Sequence, residues 1–567
     1  MSLETITSGH GETQQSVPSH RYRIARRWQL VSLPIAGLVL LPLLVIFSGW
    51  LHPESEIWRH LAETILADLV VNTIILLLGV MFGVLFLGVS LAWLTSMCRF
   101  PGQRFFDWAL MLPLALPAYV LAFVFLGLLD FSGPVQGQLR TWFGPSFWFP
   151  AVRSTGGVIV VMVLVLYPYV YMLARSAFLT QGRGTLDAAR ILGLGPWATF
   201  FRVTLPMARP AIVAGTSLAL METLADFGTV AIFHYDTFTT AIYKAWFGLF
   251  NLQAASQLAS LLLLFVALTL FSERRLRGRA RYDENTRGGR PARIVLNGRN
   301  AWLTTLLAGL IFSCAFLFPL IQLAFWSWEI ITEDLDKRYL TLVANTVTLG
   351  ISAAFVTIIG AMLLAFARRY SRNTITRSAT TIGTLGYALP GSVLAVGIML
   401  TFTGIDNFLQ SVLRGFGVDV AGPILTGTIA ALLLAYLVRF LAVAFGPIDS
   451  SLERIRSSLP EAARSLGAKP VMVLRRVYLP LLSPGILSAM LLVTVDVMKE
   501  MPATLLLRPF GWDTLAVRIY EMTSEGEWER AALPAITLVL AGLLPVILLV
   551  IRSSKSTTVA ASTKATQ

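Results

Sequence analysis

The chain has 567 residues, 56% of them hydrophobic, and a formal net charge of +14. That apolar content excludes a string of soluble domains, because many apolar runs are long enough to cross a bilayer. Nucleic-acid binding is excluded as the meaning of the charge, because the basic residues cluster in alternate loops between those runs.

The polar lead Met1–His20 is too long for a cleavable signal peptide. Residues 1–20 are expected to be disordered, within a cytoplasmic tail, 1–27, closed by Arg21, Arg23, Arg26 and Arg27. About twelve apolar runs follow on the roughly 20-residue criterion. They lie near 29–50, 65–94, 108–130, 155–179, 210–233, 255–272, 301–326, 343–367, 379–403, 424–446, 484–507 and 533–551. Arg99 and Arg104 follow the second run, and Arg368, Arg369 and Arg372 follow the eighth. Arg274, Arg275, Arg277, Arg279, Arg281, Arg287, Arg290 and Arg293 fill a central linker, 273–300, suited to touching anionic lipid. The intervening loops hold acids instead: Glu54, Glu56, Glu329, Glu333, Asp334 and Asp336. This asymmetry predicts that both termini and the linker are cytoplasmic. Cys98 and Cys314 fall in different halves, at or inside spans, so neither a disulfide nor a metal pair is expected.

One stretch occurs twice. Asp187-Ala188-Ala189-Arg190-Ile191-Leu192-Gly193, closing with Leu205-Pro206, returns as Glu461-Ala462-Ala463-Arg464-Ser465-Leu466-Gly467, closing with Leu479-Pro480, at a constant offset of 274. Each copy predicts a helix ended by a left-handed glycine, then a second short helix opened by Pro196 or Pro470. The repeat extends to Asn72-Thr73 with Asn345-Thr346 and to Leu116-Pro117 with Leu389-Pro390, at an offset of 273. An even number of spans per half gives both copies the same orientation. The predicted fold is therefore an all-α polytopic membrane protein of about twelve transmembrane helices in two parallel six-helix halves. The halves are expected at 28–272 and 301–552, with a cytoplasmic tail at 553–567 and the pathway between them. Pro113, Pro117 and Pro390 are expected to kink or break their spans.

The duplicated pattern resembles the EAA loop of permease subunits of binding-protein-dependent ABC importers, over essentially the whole chain. Asp187 stands for the usual Glu, and Val203 and Val477 stand where Ile is common. The resemblance implies a type I ABC importer permease whose loops, 185–206 and 459–480, dock on cytoplasmic ATPase subunits. The coupling residues it marks are Asp187, Ala188, Ala189, Gly193, Leu205 and Pro206, then Glu461, Ala462, Ala463, Gly467, Leu479 and Pro480. No Gly-x-x-x-x-Gly-Lys-Ser/Thr loop occurs in the chain. It is thus expected not to be an enzyme and to bind no cofactor itself. ATP and Mg would sit on a partner ATPase, in two copies, one per loop.

The runs after these loops carry acids, Glu222 and Asp226 in the first half and Asp496 and Glu500 in the second, related by 274. Spaced four apart, each pair is expected on one helix face, about 18 and 24 Å beyond Pro210 or Pro484 at ~1.5 Å per residue. Intramembrane carboxylates face a cavity or a partner. One reading is a cation-attracting ring on the pathway, without stable metal coordination. The other is structural: Asp496 or Glu500 paired with Lys499 or Arg508, and Asp226 capping a helix near Gly228.

Around these acids, Glu222-Thr223-Leu224-Ala225-Asp226-Phe227-Gly228-Thr229-Val230 and Lys499-Glu500-Met501-Pro502-Ala503-Thr504 are similar to the ferric-iron branch of these permeases, with Met501 where Leu is usual. That resemblance implies import of ferric iron through the bacterial inner membrane, delivered by a periplasmic ferric-iron binding protein. The outer segments 234–254 and 509–532 hold Tyr243, Trp246, Phe247, Trp512 and Tyr520, suited either to docking that protein or to the membrane interface. Thiamine, a polyamine or an organophosphonate are alternative cargoes of the same class. An ion-coupled secondary transporter is the alternative class.

Overall fold

A computed structural model describes residues 19–51, 55–181, 189, 191–277, 293–371, 373–418, 422–545 and 547. The tail 1–18, most of the linker and residues 548–567 lie outside the described residues, as do Asp187 and Ala188 of the first repeated loop. Among the described residues, eleven helices are long and apolar enough to cross a membrane, and a shorter apolar helix, Ala532–Pro545, stands at the twelfth predicted run. Their lipid-side residues are large and apolar: Phe82, Phe86, Trp302 and Phe355 are exposed at the protein surface.

The two halves are built alike. Leu66–Met97 packs along Thr155–Thr180, as Lys337–Tyr370 packs along Ile429–Glu453. The first helix of each half crosses over to the other. Ser19–Ser48 lies against Lys337–Tyr370, Thr374–Gly383 and Gly391–Gly415, and Trp28 stacks on Tyr370 with centroids 5.6 Å apart. Reciprocally, Gly298–Asp334 lies against the first half through Phe105–Phe312 and Phe123–Trp326 ring contacts. The boundaries 28–272 and 301–552 therefore divide the sequence but not the packing. A two-residue parallel ladder, Cys98–Arg99 with Ile294–Val295, fixes the end of the linker to the first half.

The Leu-Pro repeats break the helices in one geometry. Leu112–Ala115 and Leu385–Ala388 form single 3₁₀ turns. Leu116 and Leu389 are then extended, at φ/ψ −86°/123° and −85°/128°. Pro117 and Pro390 open the helices Ala118–Leu129 and Gly391–Gly415. Proline has no N–H to lose at a helix start, so the break leaves one fewer buried donor to satisfy.

Candidate translocation cavity and coupling loops

The helices that carry the acids do not run through the predicted spans 210–233 and 484–507. Leu205–Ala225 stops at Asp226, and Leu479–Lys499 stops at Glu500, both in extended conformation. The expectation that each pair shares the face of one continuous helix is corrected here, since only Glu222 and Asp496 are helical. The second acid of each pair caps the next short helix. Asp226 Oδ1 accepts from the Thr229 and Val230 amides at 2.9 and 3.3 Å, and Oδ2 accepts from Thr229 Oγ1, opening the helix Gly228–Ile232. Glu500 Oε1 accepts from the Ala503 amide at 3.2 Å, in the first turn of Pro502–Leu507. Threonines satisfy the interrupted carbonyls: Thr239 Oγ1 donates to Asp226 O and Thr504 Oγ1 to Glu500 O. A helix can stop inside a membrane only when the freed groups find such partners.

All four acids nevertheless line one cavity of about 180 Å³, with walls from both halves. Two cations share it, Arg439 and Lys499, both from the second half. Four carboxylates against two cations leave a formal excess of two negative charges. The expected pairing is corrected for Glu500, while Lys499 is the cation that acts most on Asp496. Glu500 pairs with Arg439 (Oε2 to Nε 3.2 Å), not with Lys499 or Arg508. Arg508 holds Asp513 and Glu521 instead. Lys499 Nζ donates across the interface to Leu114 O at 3.2 Å. Arg439 also donates to Leu389 O, at the second Leu-Pro break. Sequence reasoning missed Arg439, although a single arginine inside the apolar run 424–446 was signal enough.

Asp226 and Glu500 are thus committed to caps and a salt bridge. Glu222 accepts one hydrogen bond, from Tyr387 of the other half at 3.0 Å. Asp496 accepts no hydrogen bond among the described residues and meets Lys499 only through space. The repeat-related pair Glu222 and Asp496 keeps free oxygens toward the cavity.

Gly391 is required by this packing. A Cβ there would collide with Glu500 Oε1 and stand 2.9 Å from Arg439 Nη1. Gly391→Val is expected to part the pair and lower the melting temperature of the detergent-solubilised protein by several degrees, whereas the same change at Gly404, with open space around it, is expected to have a much smaller effect.

The repeated loops also share one geometry. Gly193 and Gly467 take φ of 78° and 84°. The chain closes around them by Leu194 N to Ala189 O and Ala468 N to Ala463 O, each 3.0 Å. Ala189 is buried, whereas Glu461 and Ala462 are exposed. A Leu-Pro pair is expected to break a helix, but Leu205-Pro206 and Leu479-Pro480 do not. They continue from π turns, Phe200–Thr204 and Leu474–Tyr478, into the long helices. Each proline thus lies inside one continuous helix, directly after a π turn in which Leu205 N–H donates to Phe200 O and Leu479 N–H to Leu474 O, and that wider turn accommodates the residue that has no N–H.

A second cavity, about 580 Å³, is lined by Tyr243, Tyr520, Arg153 and Asp236 among others. Phe227 borders both cavities, with Tyr243 and Tyr520 ring centroids 5.1 and 5.3 Å away. Those two tyrosines pack on Phe227, while Phe247 is exposed and Trp246 and Trp512 are half-buried. Among the described residues, no group of three or more His, Cys, Asp or Glu is arranged to hold a metal ion.

A family model described as the inner membrane component of binding-protein-dependent transport systems matches residues 84–281 and, a second time, 357–554. The chain is similar to an Fe(3+)-transport system permease protein of Haemophilus influenzae, 28% identical over 491 residues, covering 85% of this chain and 90% of that protein. It is also similar to a molybdenum transport system permease protein of Escherichia coli, 33% identical over 171 residues, covering 30% of this chain and 71% of the other.

Proposed function

This chain belongs to the family of inner membrane components of binding-protein-dependent transport systems, and we propose that it is the permease through which such a system imports ferric iron. A periplasmic ferric-iron binding protein delivers the cargo to the outer face. Two copies of an ATPase subunit, carrying ATP and Mg, engage the loops 185–206 and 459–480 from the cytoplasm, where both termini also lie. Their closure moves the long helices that begin at Leu205 and Leu479, and these carry Glu222 and Asp496 on the cavity wall.

The observation that supports iron best is the cavity itself. Its excess of carboxylate over cation attracts a hard cation and repels an anion, such as an organophosphonate. Glu222 and Asp496 receive the cargo from opposite halves, while Asp226 and Glu500 shape the site. A transient site of two free carboxylates binds weakly enough to release what it takes. Similarity to an iron(III) permease over most of both chains favours iron over thiamine or a polyamine. The family match across both halves leaves an ion-gradient carrier without support.

The test is ATP-dependent uptake of radiolabelled ferric iron into cells lacking the chain, with the chain restored, and with an ATPase-dead partner. Uptake is expected only with the chain and a live ATPase. Glu222→Gln/Asp496→Asn is expected to lower it at least about tenfold, since each free carboxylate contributes a charge-assisted contact. Equal uptake with and without the chain, in cells with no second iron system, would refute the iron assignment.

A further inference from the structure

We infer that Tyr119 is a cargo-contacting residue whose phenol oxygen ligates the trivalent cation as it crosses the central cavity. This inference rests on the ferric-iron reading above. Tyr119 lies in the first turn of Ala118–Leu129, directly after the Leu116-Pro117 break, and it lines the cavity. It is 5% exposed, and its hydroxyl is buried without a hydrogen-bond partner among the described residues. A buried hydroxyl left unpaired is costly, and such groups in native proteins commonly await a water, an ion or a ligand.

The neighbours explain why it stays unpaired. The charges that act most on the phenol are Glu500 and Asp226. Asp226 is occupied by Thr229 and Val230, and Glu500 by Ala503 and Arg439. Gly228 packs directly against this side chain: a Cβ there would stand 2.7 Å from Tyr119 Cβ. Of the other cavity tyrosines, Tyr387 donates to Glu222, and Tyr169 is hydrogen-bonded to Tyr387.

The chemistry then selects by charge. A phenol ordinarily keeps its proton up to about pH 10, so it offers little to a monovalent or divalent cation. Beside ferric iron it loses that proton to a carboxylate of the same cavity, and the phenolate becomes a hard anionic ligand. Tyr119 thereby adds a preference for trivalent iron that the carboxylates alone do not provide.

The experiment uses the permease assembled with its ATPase subunits in sealed proteoliposomes, with the ferric-iron binding protein supplied for uptake and ferric nitrilotriacetate as the iron probe. Wild type is expected to develop a visible phenolate-to-iron charge-transfer band. Tyr119→Phe, which keeps the ring and its packing, is expected to lose the band and at least about tenfold of ATP-driven iron uptake without a lower melting temperature. Tyr169→Phe is expected to keep the band. A wild type that transports iron without the band, or a Tyr119→Phe variant that keeps both band and uptake, overturns this role alone. A wild type that takes up no iron overturns the iron reading, and this role falls with it.

Discussion

Replacing Arg439 by methionine is expected to cost the folded permease about 3–5 kcal/mol, and adding Glu500→Gln is expected to restore most of that loss. The pair is almost wholly enclosed, with Arg439 8% and Glu500 7% exposed. Removing only the guanidinium leaves a carboxylate in a low-dielectric cavity that already holds three others. Methionine fills the space of the arginine stem, so the loss reports the unpaired charge and not a void. In the double variant the neutral amide that replaces the Glu500 carboxylate still accepts from the Ala503 N–H, which keeps the cap on Pro502–Leu507. Thermal unfolding of the detergent-solubilised protein, wild type against both variants, makes the comparison. Equal destabilisation in the single and double variants would mean that Arg439 acts through its other contact, the Leu389 carbonyl.

The same site shows what the sequence made legible. A constant offset of 273 or 274 is enough to predict paired geometry, because identical residues at identical spacing meet the same local sterics. Hence Leu116 and Leu389, or Gly193 and Gly467, adopt nearly the same backbone angles. The four acids were legible as a repeat-related set, but not their division of labour. Capping depends on where the helix stops, and Leu-Ala-Asp-Phe-Gly and Met-Lys-Glu-Met-Pro hold stop signals only after the acid. The structural reading holds for Asp226 and Glu500, and the proposed pathway role is left to Glu222 and Asp496. Arg439 and Tyr387 are far in sequence from the acids they meet, Glu500 within the second half and Glu222 across the two halves, and only tertiary packing brings them together. The exchange of first helices was equally hidden, since periodicity records that a face is buried and not which neighbour buries it.

Placing an aspartate at Leu192 or at Leu466 is expected to lower ATP-driven uptake at least tenfold, and the double variant to abolish it, with no fall in melting temperature. These residues are repeat-related, each directly before the left-handed glycine that ends the loop helix. They are 80% and 88% exposed, so neither contributes to the core. Their loops show further apolar surface at Trp197 and Val471, themselves 274 apart. Contiguous exposed apolar side chains at a predicted cytoplasmic face mark a protein contact. Burying one leucine there contributes about 1.5–3 kcal/mol, which is roughly ten- to a hundredfold in affinity. A carboxylate in its place adds a desolvation penalty. The cavity lies at the far end of the same helices, past Leu205 and Leu479, so its charges are untouched by either change. Loss of uptake together with loss of ATPase co-purification places the defect in docking. Loss of uptake with the ATPase still bound places it in transmission along the helices that carry Glu222 and Asp496. Full uptake in the double variant would remove these loops from the coupling path.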